Sequence, residues 1–504
     1  MLLVILVLGL VSIRWAEKLP VGDGFGWDGV LYATWAKDFH KSVFVDGLSD
    51  YYVQRLAPSA IVHYGARALL WPFYSSEQSR SILTQNKNVM LSFGIYNLIL
   101  LLLAVYIWGL IAGHLNLSDK GKWFGFCALF VNYAIAKSNF YQPVLTDTTA
   151  FTLGILMFYF FLTRKSLGLL AVMIIGCFTW PTIPFMAGLL LVFPRPDGEV
   201  LSTQSLASAV AMSRLTWFVS AVACALVSLV FAYLLWRDVP GQWDKVSMVR
   251  IDFTLLYSSI ALVLVYLFVG FRAALMDRRL FDFRYLRSEI RWKWAAVVLM
   301  VLFLWRVVVH QIATPVPYSW NSRELVIYTF VSSLTEPLIF VVAHAVYYGP
   351  AIVLLLIFWR PFCESAGQYG IGFRLFVIVN LCLSICPQSR YQIPYVSAFV
   401  IVLVTMLDRS VLHRWTLTWW ILLSIFYSKI WYTFNTAPMI PDGTMAVFQT
   451  FPLQHFFMNS GPWMSKPMYL VQGGVVLVTA ITLYFLVGRQ PIPPMVFRPA
   501  EKPA

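Results

Sequence analysis

The sequence contains few charged residues and very few acidic ones. Of 504 residues, 12% are charged and 23 are Asp or Glu, whereas 60% are hydrophobic and the mean hydropathy is +0.73. A soluble protein of this composition would expose too much apolar surface. Because apolar runs recur along the chain at about the length that crosses a bilayer, we expect an all-α fold: a polytopic transmembrane helical bundle of about 13 or 14 helical segments.

Cysteines are also few, and their spacing matches no metal or disulfide motif. The six cysteines fall in or beside apolar runs, no CxxC occurs, and Cys382 and Cys386 are one helical turn apart, as small core residues often are. We find no internal repeat, low-complexity stretch or soluble domain, so residues 1–504 are expected to form a single integral membrane domain.

A basic face for nucleic acid is absent too, although the formal net charge is +14. The Lys and Arg residues lie in short loops between apolar runs, where they set membrane topology. We therefore expect membrane lipids as partners and no nucleic acid.

The N-terminal run, residues 1–13, lacks the basic start and the small-residue cleavage site of a signal peptide. It is predicted to be an uncleaved first helix that is short for a full span. Residues 20–88 then form an acidic first outer loop. Within this loop the apolar segment 56–73 carries His63, Arg67 and two prolines, which favours a helix lying in the membrane interface over one that crosses.

The remaining spans are predicted near 89–113, 122–138, 147–163, 215–236, 253–271, 294–313, 338–359, 371–387, 393–408, 415–433 and 467–487. The run 168–194 has Trp180, Pro181 and Pro184 at its middle, which leaves a single crossing or a broken hairpin. A hairpin places the basic loop 272–293 in the cytoplasm with the other basic loops, so charge asymmetry favours it. Residues 20–58 and the late outer loop 434–466 then face the opposite side.

The polar segment 20–58 holds five of the acidic residues: Asp23, Asp28, Asp38, Asp46 and Asp50. Carboxylates beside a membrane are costly unless they have a function, so we predict the active-site loop of a membrane enzyme. The same topology places further polar residues on or just below the outer face: Gln54, Arg55, Asp147, Arg306, His310, Arg323, Glu324, Glu336, His344, Arg390, Lys429 and His455. A carboxylate that deprotonates a hydroxyl, with arginines that bind a departing phosphate, suits glycosyl transfer from a lipid phosphate.

Four stretches carry a resemblance to a known family. GWDGVLYATWAKDF followed by YYVQRLAP resembles the first outer loop of the bacterial polytopic glycosyltransferases of the GT-C superfamily. FYQPVLTDTTAFTLGILMFYFFLTRKS is similar to the family's second outer acidic site, FTWPTIPF to its Thr-Arg-Pro-Thr-like turn, and SRYQIPYVSAF to its late Arg-Tyr-x-x-Pro segment. Two positions depart from the family pattern: Trp180 replaces the usual Arg, and Thr148 stands where many members have an acidic residue.

The resemblance implies a polyprenyl-phosphate-linked sugar donor, a glycan, lipid or protein acceptor, and transfer at the outward face of the bacterial inner membrane. It does not identify the sugar. No cofactor follows with certainty, and a divalent metal ion is compatible with the chemistry.

Three carboxylates are the catalytic candidates, each with a structural alternative. Asp28 is the proposed general base, or the N-cap of a helix from Gly29 to Phe39. Asp147 begins a membrane helix, where the helix dipole favours negative charge. Asp23 lies in a Gly-rich turn, which favours a structural role over a catalytic one.

The candidates for substrate binding are Gln54, Arg55, Arg306, His310, Arg390, Tyr391 and His455. Arg306 and His310 share a helix face, where an arginine that snorkels to the headgroups is the alternative. His344, near Tyr347 and Tyr348, is predicted to be a hydrogen-bonded core group. The aromatic stretch FPLQHFFMNSGPWMS in the loop 434–466 is predicted to line an acceptor or lipid site.

Two other functions remain open from the sequence. A secondary transporter or lipid flippase would need charges near the bilayer midplane, broken helices in corresponding halves and a repeat, whereas this sequence shows one broken run and charges near one face. A non-catalytic glycan-assembly membrane protein is the other alternative, and the Trp at position 180 keeps it open.

Overall fold

Helices make up the regular structure of the part of the chain that the computed structural model describes. That part comprises residues 1–70, 84–196, 206–237, 254–314, 322–408, 414–435, 458–459 and 461–488. Within it the only β-type pairing is an isolated bridge between Leu48 and Ala313. The prediction of an all-α fold is confirmed.

Six helices among the described residues are long and apolar enough to cross a membrane: Asn86–His114, Met212–Leu234 within the longer helix Leu206–Arg237, Leu256–Ala274, Trp292–Ile312, Ser389–Asp408 and Lys466–Val487. The shorter α-helices are Leu2–Trp15, Trp27–Lys37, Asp50–Val53, Ala57–Leu70, Asp119–Phe130, Asn139–Tyr141, Asp147–Leu162, Ser166–Cys177, Ile183–Val192, Phe283–Glu289, Ser322–Ser332, Ile339–Tyr348, Pro350–Ile357, Trp359–Ala366, Ile371–Leu383 and Arg414–Ser428. The chain is therefore an integral, multi-pass membrane protein.

Several predicted spans are divided into shorter helices. The predicted span 338–359 breaks at Gly349, whose φ of 81° and the following Pro350 end one helix and begin the next. The pair of helices beyond it is bent by 83° around Phe358. The predicted span 122–138 ends as a helix at Phe130, and Asn132 then caps a π-helical turn by accepting a hydrogen bond from the Ile135 amide. Local breakers thus override the hydropathy pattern.

The run 168–194 is a hairpin of two short helices, Ser166–Cys177 and Ile183–Val192, as the charge asymmetry predicted. The first and last helical residues of the hairpin, Ser166 and Val192, both form hydrogen bonds with Arg291. The Arg291 amide donates to the Val192 carbonyl over 3.0 Å, and its Nη1 donates to Ser166 Oγ over 3.5 Å. The hairpin therefore returns to the end of the bundle that carries the basic loop.

The acidic first loop lies at the other end of the bundle. The helix Trp292–Ile312 begins beside the basic loop, and at its far end the Thr314 amide donates to the Leu48 carbonyl over 2.8 Å. The amide of Phe434, at the start of the late loop, donates to the Glu17 carboxylate over 2.8 Å. The described start of the late loop thus contacts the residues just before the first loop, at the end of the bundle opposite the basic loop.

A close helix crossing brings two distant polar segments together. A Cβ on Gly154 would lie 1.9 Å from the Pro394 carbonyl oxygen, so the helix Asp147–Leu162 packs directly on the backbone of the helix that begins at Ile393. This approach requires glycine. It fixes the start of one helix beside the turn that precedes the other.

Candidate functional site

A buried ion pair joins the starts of these two helices. Arg390 donates from Nε to Asp147 Oδ1 over 2.8 Å and from Nη2 to Asp147 Oδ2 over 2.7 Å. The Asp147 side chain is 5% exposed and that of Arg390 is 22% exposed. Two parallel charge-assisted hydrogen bonds in a poorly solvated site hold both groups in one orientation. The sequence predicted both residues for the site, and the structure pairs them.

The backbone before Arg390 is anchored by the helix Ile339–Tyr348. His344 Nε2 lies 2.8 Å from the Ser384 carbonyl oxygen, and its Nδ1 lies 2.9 Å from Ser389 Oγ. Because a carbonyl only accepts, Nε2 carries the proton and Nδ1 accepts from the Ser389 hydroxyl. The Tyr348 hydroxyl donates to the Ser389 carbonyl over 2.5 Å. His344 is thus a hydrogen-bonded core group, as predicted, and it positions Arg390.

Arg55 is buried between two aromatic rings. Its guanidinium carbon lies 4.5 Å from the ring centre of Tyr51 and 4.8 Å from that of Trp180, and the residue is 4% exposed. Within the described chain no carboxylate pairs with it, and its buried Nε has no hydrogen-bond partner. Two cation–π contacts therefore replace an ion pair.

The break in the hairpin supplies the second of these rings. The Ala57 amide donates to the Phe178 carbonyl over 2.8 Å, which holds the segment that carries Trp180 against the residues after Arg55. Trp180, at the position where the resembling family has Arg, here covers an arginine that comes from the first loop.

Asp28 lies near this cluster with its carboxylate unpaired. It is half-buried, and among the described residues it makes no hydrogen bond or ion pair. Its charge acts electrostatically on Arg390 and on Tyr51. Burial, and after it the Asp28 carboxylate, raises the pKa of Tyr52 to about 12. Asp28 thus differs from Asp147, whose two carboxylate oxygens both accept hydrogen bonds from Arg390.

The helix boundary shows that Asp28 is not a helix N-cap, which was the structural alternative to a catalytic role. The helix begins at Trp27, with Gly26 at the N-cap in a φ of 76°, so Asp28 is inside the first turn and does not cap it. Its charge there is still favoured by the helix dipole.

Other predicted residues lie outside the ion-paired cluster. Asp23 is exposed, has a left-handed φ of 55°, and accepts a 3.1 Å hydrogen bond from Asn86. The Gln54 side chain donates to the Asp50 carbonyl over 2.8 Å. Arg306 pairs with Asp50 at 3.3 Å on the surface, and His310 is exposed one turn further along the same helix. The contacts of Asp23, Gln54 and Arg306 are thus with Asn86 or with Asp50 of the loop, and not with the ion pair.

Tyr391 and His455 are the remaining candidates for substrate binding. Tyr391 follows Arg390 directly in the chain and lies in the same 3₁₀-helical turn, Ser389–Gln392. His455 lies outside the described residues, as do the side chains of Arg323 and Glu324.

A small cavity of about 130 Å³ opens beside Arg390. Its walls bring together the first loop, the π-helical turn, the segment before Arg390 and the late loop, and they include Trp27, Gln142, Gln388, Asn459 and Trp463. Asn459 and Trp463 belong to the aromatic stretch predicted to line a site. Sequence reasoning missed Trp27, Gln142 and Gln388, since only the tertiary fold brings them together.

Sequence reasoning also missed the stacking role of Tyr51. The signal was present in the motif itself, because Tyr51 precedes Arg55 by four residues and side chains at this spacing meet on a helical turn. For metals, no group of three His, Cys, Asp or Glu side chains that could hold an ion occurs in the described ranges.

Comparisons with known proteins do not place the chain in a family. No protein-family model matches the chain, and no curated protein and no solved structure matches it. The motif resemblance to GT-C glycosyltransferases therefore stays a prediction, and function has to be argued from the site.

Proposed function

We propose that this chain is a GT-C-like membrane glycosyltransferase that moves a sugar from a polyprenyl-phosphate-type lipid donor to an acceptor hydroxyl. The proposal rests on a difference in hydrogen bonding between two carboxylates near Arg390. Asp147 is held by both of its oxygens, whereas Asp28 has no hydrogen-bonding partner among the described residues. A general base needs a free lone pair, so the roles divide between them.

In this mechanism Asp28 removes the proton from the acceptor hydroxyl. The hydroxyl oxygen then forms a bond to the anomeric carbon of the donor sugar while the bond from that carbon to the phosphate oxygen breaks. The electron pair of the broken bond leaves with the phosphate. Attack opposite the leaving group inverts the anomeric centre, as in glycoside chemistry with a separate base and leaving-group site.

The leaving phosphate is assigned to Arg55, which is buried, and to Arg390, which is partly buried. Arg390 uses Nε and Nη2 for Asp147, which leaves Nη1 for a ligand oxygen. Arg55 is a buried cation with no carboxylate partner in the described chain, and an anionic ligand would offset the cost of burying its charge. The guanidinium of Arg55, which no described carboxylate engages, can bind phosphate oxygens two at a time. Asp147 orients Arg390 and acts through it.

Topology is the second part of the proposal. Since cytoplasmic loops carry the excess of Lys and Arg, the basic loop 272–293 faces the cytoplasm and the site faces outward. The helices Trp27–Lys37 and Ala57–Leu70 then lie in the outer interface as parts of the first loop. The bacterial inner membrane is the compartment that this arrangement and the motif resemblance favour.

The test compares lipid-linked sugars and glycans, by mass spectrometry, in cells that lack the gene and in cells that express the parent or a variant. We expect Asp28→Asn to lower product by about two or more orders of magnitude, because general-base help is lost while size is kept. The matched control is Asp46→Asn, an exposed carboxylate of the same loop. It should restore product like the parent.

Each other outcome has a defined meaning. Full activity in Asp28→Asn with loss in Asp147→Asn would move the base to Asp147. An unchanged sugar profile in cells without the gene would contradict transfer and favour a flippase, a transporter or a non-catalytic assembly protein. Protein level and detergent-solubilised folding are measured for every variant, so that lost product is not lost protein.

A further inference from the structure

The cavity beside Arg390 has walls of a mixed chemical character. Trp27 comes from the first loop and Trp463 from the late loop, and Trp27 is 48% exposed. Amide side chains of Gln142, Gln388 and Asn459 also line the cavity. Indole rings offer flat apolar faces with a polar edge, and amides both donate and accept hydrogen bonds. The cavity therefore fits a ligand that is apolar on its ring faces and hydroxylated at its rim.

Two of the amides are oriented by neighbouring groups. The Tyr328 hydroxyl donates to Gln388 Oε1 over 3.0 Å, and Lys429 Nζ donates to Asn459 Oδ1. Because these oxygens already accept, the NH₂ groups are the ends that a ligand would meet. Hydroxyl oxygens are suitable acceptors for such donors.

We propose that this cavity binds a single sugar unit of the acceptor, so that the acceptor is a saccharide; the assignment rests on the proposed function. The volume of about 130 Å³ is below the range of about 300–1,000 Å³ typical of sites for drug-sized ligands, which favours one ring over a chain of rings. A prenyl chain would offer no acceptor to the NH₂ groups of the three amides. A phosphate would find a single cation, Arg390, in the cavity wall.

The position of the base assigns the sugar unit to the acceptor and not to the donor. Trp27 lines the cavity, and the next residue is Asp28 at the start of the same helix. Arg55, assigned to the donor phosphate, does not line it. Arg390 thus separates a cavity for the hydroxyl that reacts from the cluster that binds the leaving group.

The experiment measures saccharide binding without any donor lipid. The full chain is purified in detergent, and saturation-transfer-difference NMR is recorded with D-glucose, D-galactose, D-mannose and N-acetyl-D-glucosamine. We expect the parent to bind at least one of these sugars, and Trp27→Ala and Trp463→Ala each to weaken binding about tenfold, the effect typical of removing an aromatic side chain that contacts a ligand. The matched control is Trp431→Ala, which removes an exposed indole outside the cavity and should bind like the parent.

Gln142→Ala provides a second variant that leaves both indoles in place, and it too should weaken binding. Absence of binding to all four sugars in the parent, or parent-like binding in the two cavity Trp variants, would overturn the proposal. Competition by a sugar-free polyprenyl phosphate would assign the cavity to the donor and also overturn it.

The two proposals fail in different ways. If Asp28→Asn transfers sugar normally while the Trp variants lose saccharide binding, the saccharide site stands and the catalytic assignment is wrong. If Asp28→Asn loses transfer while the Trp variants still bind sugar, the catalytic assignment stands and the cavity assignment is wrong.

Discussion

We expect the ion pair between Asp147 and Arg390 to contribute measurably to the free energy of unfolding. Replacing Arg390 with Gln leaves a carboxylate that is 5% exposed without its counter-charge. Removing one partner of a buried pair costs about 3–5 kcal/mol. Because the Arg390 side chain is 22% exposed, water can partly replace it, and we expect a loss near the lower end of that range.

A double-mutant cycle isolates the coupling of this pair. In the double variant Asp147→Asn with Arg390→Gln neither charge remains, so its loss of stability should be smaller than the sum of the two single losses. We expect a coupling free energy of about 1.5–3 kcal/mol. The measurement is reversible unfolding of the purified protein in mixed micelles, followed by circular dichroism.

A second ion pair in the same protein gives the matched control. Arg306 and Asp50 meet at 3.3 Å with side chains 68% and 43% exposed, so their coupling should be about 0–1 kcal/mol. Coupling of Asp147 with Arg390 below about 0.5 kcal/mol, or no larger than that of the exposed pair, would refute the burial argument. Arg390→Lys keeps the charge but loses the paired hydrogen bonds, and it should fall between the parent and Arg390→Gln in stability and in transfer.

Three further outcomes follow from the structure. A cysteine placed within 20–58 should react from outside intact cells with an impermeant maleimide and one within 272–293 should not; labelling of the latter would reverse the topology. Gly154→Val should separate its helix from the Pro394 carbonyl and lower thermal stability and transfer together, whereas Gly109→Val, where a Cβ meets nothing within 4 Å, should change neither. Burial lowers the pKa of Lys18 from 10.5 to about 8. Between these two pH values the unfolded chain binds more protons than the folded protein, so the stability of the fold should rise with pH. Lys18→Met should remove this rise, measured as melting temperature against pH, and a rise of the same size in the variant would contradict the assignment.

The sequence by itself determined the class of the protein and the membership of much of the candidate site. Hydropathy and chain length require helices in a membrane, since only internally hydrogen-bonded backbone is stable there. Basic loops and the prolines around Trp180 predicted the hairpin. The polar residues Asp28, Arg55, Asp147 and Arg390 were conspicuous because charge is rare in this chain. Local breaks such as Gly349 were harder to predict, because hydropathy continues across them.

The tertiary structure decided which of these residues meet and in what state. Asp147 and Arg390 are 243 residues apart in sequence, and they pair because Gly154 lets two helix backbones touch. Trp180 covers Arg55 because the hairpin break packs on the residues after that arginine. A carboxylate's partner depends on packing across the bundle, which periodicity along the chain does not encode. The same packing left Asp28 unpaired in the described site and brought Trp27 and Trp463 to one cavity, so the division of roles among similar residues is a property of the fold.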